Sequence, residues 1–382
     1  MTIYEYIKET GKLSFKEEKI NEIDYALFSF LSYADYSKIF KGEERYTIEE
    51  IVKMHNQLYP KRDHSVIAVK EGHKILKEMS KHKRYKDCII YNHSYIANDR
   101  VQFGAISIEY EPNKVFVSFE GTDQTFVGWK ENFILSYDAH TESHEYAIKY
   151  LNKYFTLNNK DLIVGGHSKG GNLALVGSMY CNILVRRKIK KVFGADSPGL
   201  LESEYKSSRY ERIKKKYLHI IPNNSVVGIL LYHSNDKVIK ATTKTILTHN
   251  ILYWNIIDNR FEKSTLNPLS KELDKEIKKW VNQCNKEDKE EFVNEFVNIL
   301  KKANVTSILD LKEKKSNIIK LIYDSKGMSP QAKKVVADLI SILIKCFKDT
   351  KKEELKNSIS NIFTILNRGK NAINKKRKAM DQ

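Results

Sequence analysis

Hydrophobic spacing gives the chain two textures, with the change near residue 261. Before it, short strand-like runs alternate with amphipathic stretches. After it, only helical spacing continues. Residues 22–32 carry apolar side chains densely enough to pack on two sides, which predicts a buried early helix. Residues 47–58 and 75–80 predict further amphipathic helices. From Gln102 the period shortens to two, and residues 103–110 and 115–119 flank the turn Glu111-Pro112-Asn113-Lys114 as a hairpin-like pair. Residues 142–155 are again helical. Residues 191–195, 217–221 and 251–255 are the later predicted strands. Strands alternating with helices require an α/β fold with a mainly parallel sheet covered on both faces.

Beyond that point Ser270 is the predicted N-cap of a helix with Leu273, Ile277, Trp280 and Val281 on one face. Phe292, Phe296 and Leu300 continue in the next helix. Ser329-Pro330 opens another, carrying Val335, Val336, Leu339, Leu343 and Phe347, and Leu355, Ile359, Ile362, Phe363 and Leu366 end the series. Such stripes are core contacts between helices. The expected organisation is therefore an α/β domain over 1–262 and a basic helical extension over 263–382.

Composition narrows the function classes. A 41% hydrophobic content with 16 Phe and 22 Tyr in 382 residues describes a folded protein with ample core. Net charge is +18. The last 120 residues hold 27 Lys/Arg against 16 Asp/Glu, so +11 falls there and +7 on the rest. That surplus allows weak association of the tail with an anionic membrane surface or an acidic partner, although evenly solvated lysines account for it more simply. No base-stacking motif or metal-ligand cluster points to a specific nucleic acid. Cys88, Cys181, Cys284 and Cys346 are far apart and lack ligand spacing, as expected of reduced thiols. The N-terminus has no basic segment followed by an apolar one, and the longest apolar run, 335–347, is too short to span a bilayer. The expected location is cytoplasmic. Neither a phosphate-binding loop nor a glycine-rich dinucleotide turn is present, so no cofactor is implied.

The chemistry concentrates at Gly166-His167-Ser168-Lys169-Gly170. An apolar strand, Leu162-Ile163-Val164, precedes it and Leu173-Ala174-Leu175-Val176 follows. That is the setting of a nucleophile elbow, a tight strand-to-helix turn that projects a serine hydroxyl above the sheet edge. Glycine at 166 and 170 is expected both to avoid clashes inside the turn and to accept strained φ/ψ. A serine needs a base, and the base an orienting acid, which in such folds follow in chain order Ser, acid, His. Downstream lie His219, His233 and His249. His219 falls inside a strand, and His249 precedes the last predicted strand, so His249 is favoured over His233. The acid should follow the 217–221 strand, but Pro222-Asn223-Asn224-Ser225 has no carboxylate. Asp236 is the first candidate and Asp196 the second, with Asn223 or Asn224 as a neutral substitute. The oxyanion donors would be the N–H of Lys169 and Thr122 in Phe119-Glu120-Gly121-Thr122-Asp123.

These segments, together with Val127-Gly128-Trp129-Lys130-Glu131-Asn132-Phe133 and Thr248-His249-Asn250, resemble a bacterial family of uncharacterised α/β hydrolases related to the class 3 (fungal-type) lipases. Leu13-Ser14-Phe15, Asn21-Glu22-Ile23-Asp24, Leu31-Ser32-Tyr33 and Ser225-Val226-Val227-Gly228-Ile229-Leu230-Leu231 extend the likeness over about residues 4–262, and more loosely to about 350. The resemblance implies an α/β-hydrolase fold with Ser168 as nucleophile, His249 as base and Thr122 as an oxyanion residue. Two departures stand out. Class 3 lipases have an apolar residue where this chain has Lys169, and an aspartate near Asn224 or Ser225. The expected activity is serine hydrolysis of a carboxylic ester, with a small acyl ester or lipid as substrate. The alternative is a hydrolase scaffold that binds or regulates through its basic tail. Residues 134–141 occupy a position from which a segment would gate the site.

Overall fold

The computed structural model describes residues 1–325 apart from 59–66, 99, 123–133, 136–137, 235, 244–245, 284 and 304–313, together with 330 and 333. The chain opens with helices α1 (Ile3–Thr10) and α2 (Glu22–Leu31), strand β1 (Arg45–Thr47), and helices α3 (Ile48–Leu58) and α4 (Ile67–Met79). Strands β2 (Ile89–Ala97), β3 (Gln102–Glu111) and β4 (Lys114–Phe119) follow. Next come α5 (Glu142–Phe155), β5 (Asp161–His167), α6 (Lys169–Tyr180), α7 (Ile183–Lys188) and β6 (Ile189–Ala195). Short helices α8 (Glu202–Tyr205) and α9 (Ser208–Ile213) lead to β7 (Tyr217–Pro222) and β8 (Lys237–Ile239). A two-stranded ribbon, β9 (Ile256–Ile257) with β10 (Arg260–Phe261), precedes α10 (Pro268–Gln283), α11 (Lys286–Lys302) and α12 (Lys315–Asp324).

Strands β1 to β8 lie side by side in chain order. β1 to β4 pair antiparallel and β4 to β8 pair parallel. The expected mainly parallel sheet is thus parallel only from β4 onward, because short turns of the kind at Asn113 join antiparallel neighbours. Parallel crossovers that all step one way, with the usual right-handed sense, put their helices on one face. Val115, Val117 and Phe119 of β4 and Leu162 and Val164 of β5 accordingly pack with Leu151 of α5, Leu173 and Val176 of α6 and Tyr210 of α9. The alternate residues Phe116, Ile163 and Phe193 face away from those helices. The N-terminal helices cover them, through Ile3 and Tyr6 of α1, Phe28 and Leu31 of α2 and Leu76 of α4. A buried ion pair anchors that layer: Arg84 Nε and Nη2 reach Asp24 Oδ1 and Oδ2 of α2 at 3.0 and 2.6 Å.

Three details depart from the sequence pattern. Residues 251–255 form no strand. Asn250 accepts the Leu252 N–H at 3.0 Å and caps a 3-10 turn over Ile251–Tyr253. Buried Trp254 then donates Nε1–H to Thr248 O at 2.7 Å, which fixes the turn, and the strand begins at Ile256. A five-residue apolar run does not distinguish the two outcomes. Ser270 is not an N-cap but lies inside α10, which starts at Pro268, where the missing N–H has no helical acceptor to lose. β2, finally, was not signalled by a clean alternation and contains a register shift between Tyr91 and Ser94. In the extension Val281, Val293, Phe296, Leu300, Ile318 and Ile322 are buried. The helices expected over 335–347 and 355–366 fall outside the described residues. Among the described residues no helix is long and apolar enough to cross a membrane.

Candidate active site

β5 ends at His167 and α6 begins at Lys169, so Ser168 alone makes the turn, with φ 57° and ψ −132°. No described glycine has positive φ. The strain of the elbow is therefore carried by the serine, and the glycines answer only to space. A Cβ on Gly166 would lie 2.3 Å from the Gly170 carbonyl carbon, and one on Gly170 would lie 2.1 Å from Phe119 O. Ser168 donates its N–H to Ala195 O at 2.9 Å, which fastens the turn to the end of β6. Lys169 occupies the first helical position, where a backbone N–H has no partner within the helix. Its buried side chain runs to the start of β3, donating Nζ–H to Gln102 O at 2.6 Å and Oε1 at 2.9 Å.

Asp196 follows β6 directly, in a left-handed conformation with φ 43°. Its carboxylate is buried and fully engaged. Oδ1 accepts from Ser225 Oγ at 2.5 Å and from the Gly228 N–H at 3.0 Å. Oδ2 faces His249 Nδ1 at 2.7 Å. A carboxylate only accepts, so His249 carries its hydrogen on Nδ1 and presents Nε2 as a lone pair. The His249 side chain keeps 27% of its surface exposed. A second contact holds it against the residue that precedes the serine. His167, the residue before Ser168, donates Nε2–H to His249 O at 2.6 Å, with the two rings 4.4 Å apart. Tyr33 completes the chain by donating its hydroxyl to His167 Nδ1 at 3.0 Å. Burial, reinforced by nearby His249, keeps the His167 imidazole well below its ordinary value, so it stays neutral with one donor and one acceptor.

The other candidates sit elsewhere. Asp236 does not meet His249; it is bonded to His219 Nδ1 at 2.7 Å and His233 Nδ1 at 2.5 Å. Burial pushes its carboxyl up, but the hydrogen bonds from the two histidines prevail and hold it well below the ordinary range. The partner of His249 is thus Asp196 rather than Asp236, because the carboxylate one strand earlier already lies beside the elbow. Asn223 Oδ1 accepts from the Ala241 N–H at 3.1 Å, and Asn224 Oδ1 accepts from Asn267 at 2.8 Å. Neither amide orients His249. Thr122 is half-buried just past Gly121, where an added Cβ would lie 2.6 Å from His167 O, so this loop runs against the end of β5. Residues 123–133, with the Trp129 motif, and 136–137 of the suggested gating segment lie outside the described residues.

Besides His167, Tyr33 and Ser225, two more residues have site roles that motif reading did not assign. Asn172, in the first turn of α6, donates Nδ2–H to Gly199 O at 2.7 Å and accepts from His144 Nε2 at 2.7 Å. It ties the elbow helix to the turn that begins with Asp196. His144 accepts the Thr141 N–H at Nδ1, and burial brings its imidazole down to about 4. The Gly-Gly-Asn run was visible, but asparagine has no chemistry of its own to announce this bracing role.

A left-handed serine between a parallel strand and a helix, with a His–Asp pair whose aspartate ends the next strand and whose histidine packs on the residue before the serine, fits the α/β-hydrolase arrangement. A search of curated protein sequences gives no match. Among solved structures, the crystal structure of M37 lipase is similar over 55% of this chain and 70% of that one, at 14% identity and a TM-score of 0.35. The profile of the Mbeg1-like family matches residues 79–298, from the end of α4 into α11. That is more than half of the sequence, and the chain belongs to the Mbeg1-like family.

Proposed function

We propose that the protein is a serine hydrolase that cleaves a carboxylic ester through an acyl-enzyme on Ser168. The observation carrying this reading is the 2.7 Å contact from His249 Nδ1 to Asp196, on a histidine packed against the residue preceding the strained serine. In the first half-reaction His249 Nε2 takes the Ser168 hydroxyl proton as Oγ attacks the ester carbonyl. The Lys169 N–H and Thr122 stabilise the oxyanion, and Asp196 stabilises the imidazolium. Collapse expels the alkoxide, which takes the proton from Nε2. Water, deprotonated by the same nitrogen, then releases the acid and restores Ser168. A purely binding role for the scaffold drew on a missing triad acid, and Asp196 supplies the carboxylate that reading lacked.

The test is labelling of purified protein with a fluorophosphonate, whose phosphorus an activated serine attacks with loss of fluoride to leave a phosphonylated serine. Wild type should label, Ser168→Ala should not, and His249→Ala should label far more slowly. A folded wild type that stays unlabelled would refute the proposal.

A further inference from the structure

His219 on β7, with His233 and Asp236 in the segment leading to β8, forms a second cluster of titratable groups that the ester chemistry does not use. Two imidazole nitrogens and a carboxylate oxygen lie within 4.8 Å of one another. The His219 side chain is buried, whereas His233 and Asp236 keep 10% and 19% of theirs exposed, enough for an ion to approach.

The hydrogen-bond pattern at His219 is the informative part. Nε2 faces Ser197 O at 2.9 Å and Nδ1 faces Asp236 Oδ1 at 2.7 Å. Both oxygens are acceptors, and a neutral imidazole has one N–H to give. A neutral ring that gives its one hydrogen to Ser197 O would turn a lone pair on Nδ1 toward the carboxylate oxygen it otherwise hydrogen-bonds. A cation bound by Nδ1 and the carboxylate together, in place of their direct 2.7 Å contact, resolves the conflict. A ring bound through one nitrogen, with the other N–H on a backbone carbonyl, is also how metal-ligating histidines are held in place. His233 differs: Nδ1 faces Asp236 Oδ2, while Nε2 is buried without a hydrogen-bond partner among the described residues.

We propose that His219, His233 and Asp236 form a binding site for one divalent transition-metal ion. Two imidazoles and a carboxylate match zinc better than calcium or magnesium, which prefer oxygen ligands, and water would complete a tetrahedron. The site is structural. It joins β7 to the segment before β8 and, through Ser197 O, reaches the residue next to Asp196. It does not depend on the ester reading.

The full-length protein, stripped with a chelator and dialysed, is titrated with Zn²⁺ alone by calorimetry, and with Co²⁺ to follow visible absorption. One equivalent of Zn²⁺ should bind, Co²⁺ should give the intense bands of a tetrahedral site, and zinc should raise the melting temperature. His233→Ala and Asp236→Asn, folded by circular dichroism, should each weaken binding by at least about tenfold, the scale at which even outer ligand partners act. Failure of folded wild type to bind zinc stoichiometrically would overturn the proposal and leave protons as the cluster's counter-charge. So would binding that both variants retain in full. The wild-type titration decides the question even if a variant misfolds.

Discussion

Asp196→Asn is the substitution that most directly tests the site, and its effect follows from which atoms surround the carboxylate. Ser225 Oγ–H and the Gly228 N–H both point at Oδ1, at 2.5 and 3.0 Å. An asparagine must keep its carbonyl oxygen there, because turning the amide nitrogen toward two donors would leave three buried donors facing one another. The amide N–H₂ is then directed at His249 Nδ1, where the carboxylate stood at 2.7 Å. His249 has to accept at Nδ1, which moves its own hydrogen to Nε2, the nitrogen that should receive the serine proton. Fold and binding are largely preserved while the base is held in the wrong tautomer. The expected loss is about 10³–10⁴-fold in kcat, or about 4–5 kcal/mol of barrier. The assay is hydrolysis of a short p-nitrophenyl ester beside fluorophosphonate labelling rates, with circular dichroism confirming the fold. An Asp196→Asn enzyme retaining more than about a tenth of the wild-type rate would refute the assignment. Asp236→Asn falling as far as Asp196→Asn would do the same.

Two further outcomes follow from packing and burial. Gly170→Ala places a methyl group 2.1 Å from Phe119 O, where neither backbone can yield cheaply, and should destabilise the fold by about 2–3 kcal/mol in urea denaturation; an unchanged midpoint would show that the elbow relaxes. Stability should also fall in mild acid. Burial brings His93 and His144 down to about 4 and His167 well below its ordinary 6.5. The unfolded chain therefore binds more protons below pH 6.5, so the contribution of these neutral rings is complete above 6.5 and is lost as pH drops toward 4. His93 and His144 each contribute of order 1.4 kcal/mol per pH unit over that range, and His167 acts in the same direction. Equilibrium unfolding at pH 7, 6 and 5 checks this, and a flat profile would contradict it.

The parts of the protein legible in the sequence were those with a periodic or a steric signature. Alternation identified β3 and β4, a short apolar run before the glycines identified β5, and the glycine spacing located the elbow. Glycine's reason was half wrong: close approach to Phe119 and Gly170 requires it, whereas the positive φ belongs to Ser168. Of the antiparallel first half of the sheet only the β3–β4 hairpin was legible; the places of β1 and β2 were not, because strand order is set by which edges remain free rather than by local pattern. The Asp196–His249 pair stayed one of two open alternatives for a similar reason. Asp196 ends one strand-like run and Asp236 lies in the loop downstream of the next, and only the register of β6 against β5 and β7 decides which carboxylate lies beside the elbow. Asn172 and His144 announce nothing in sequence, since their role is to hold backbone carbonyls and each other.

The departure at Asn224-Ser225 then has a physical explanation. Class 3 lipases resemble this chain but carry an aspartate near that point, after the strand corresponding to β7. Here Ser225 stands in that region, and its hydroxyl donates to the carboxylate of Asp196, which comes from the neighbouring strand. On this reading the negative charge has not been lost from the site; it is supplied from β6 and oriented by Ser225. The exchange carries a conformational demand. A carboxylate at the end of β6 must turn back toward the elbow, and Asp196 does so at φ 43°, which costs of order 1 kcal/mol for a residue with a Cβ. Three contacts offset that strain: the Asp196 N–H on Ile220 O at 2.8 Å, the Gly228 N–H on Oδ1, and Asn172 holding the Gly199 carbonyl three residues on. Removing Ser225 is therefore not equivalent to removing the acid. Ser225→Ala leaves Asp196 with Gly228 and His249 as partners and with its charge intact, so the wrong-tautomer mechanism that disables Asp196→Asn does not arise.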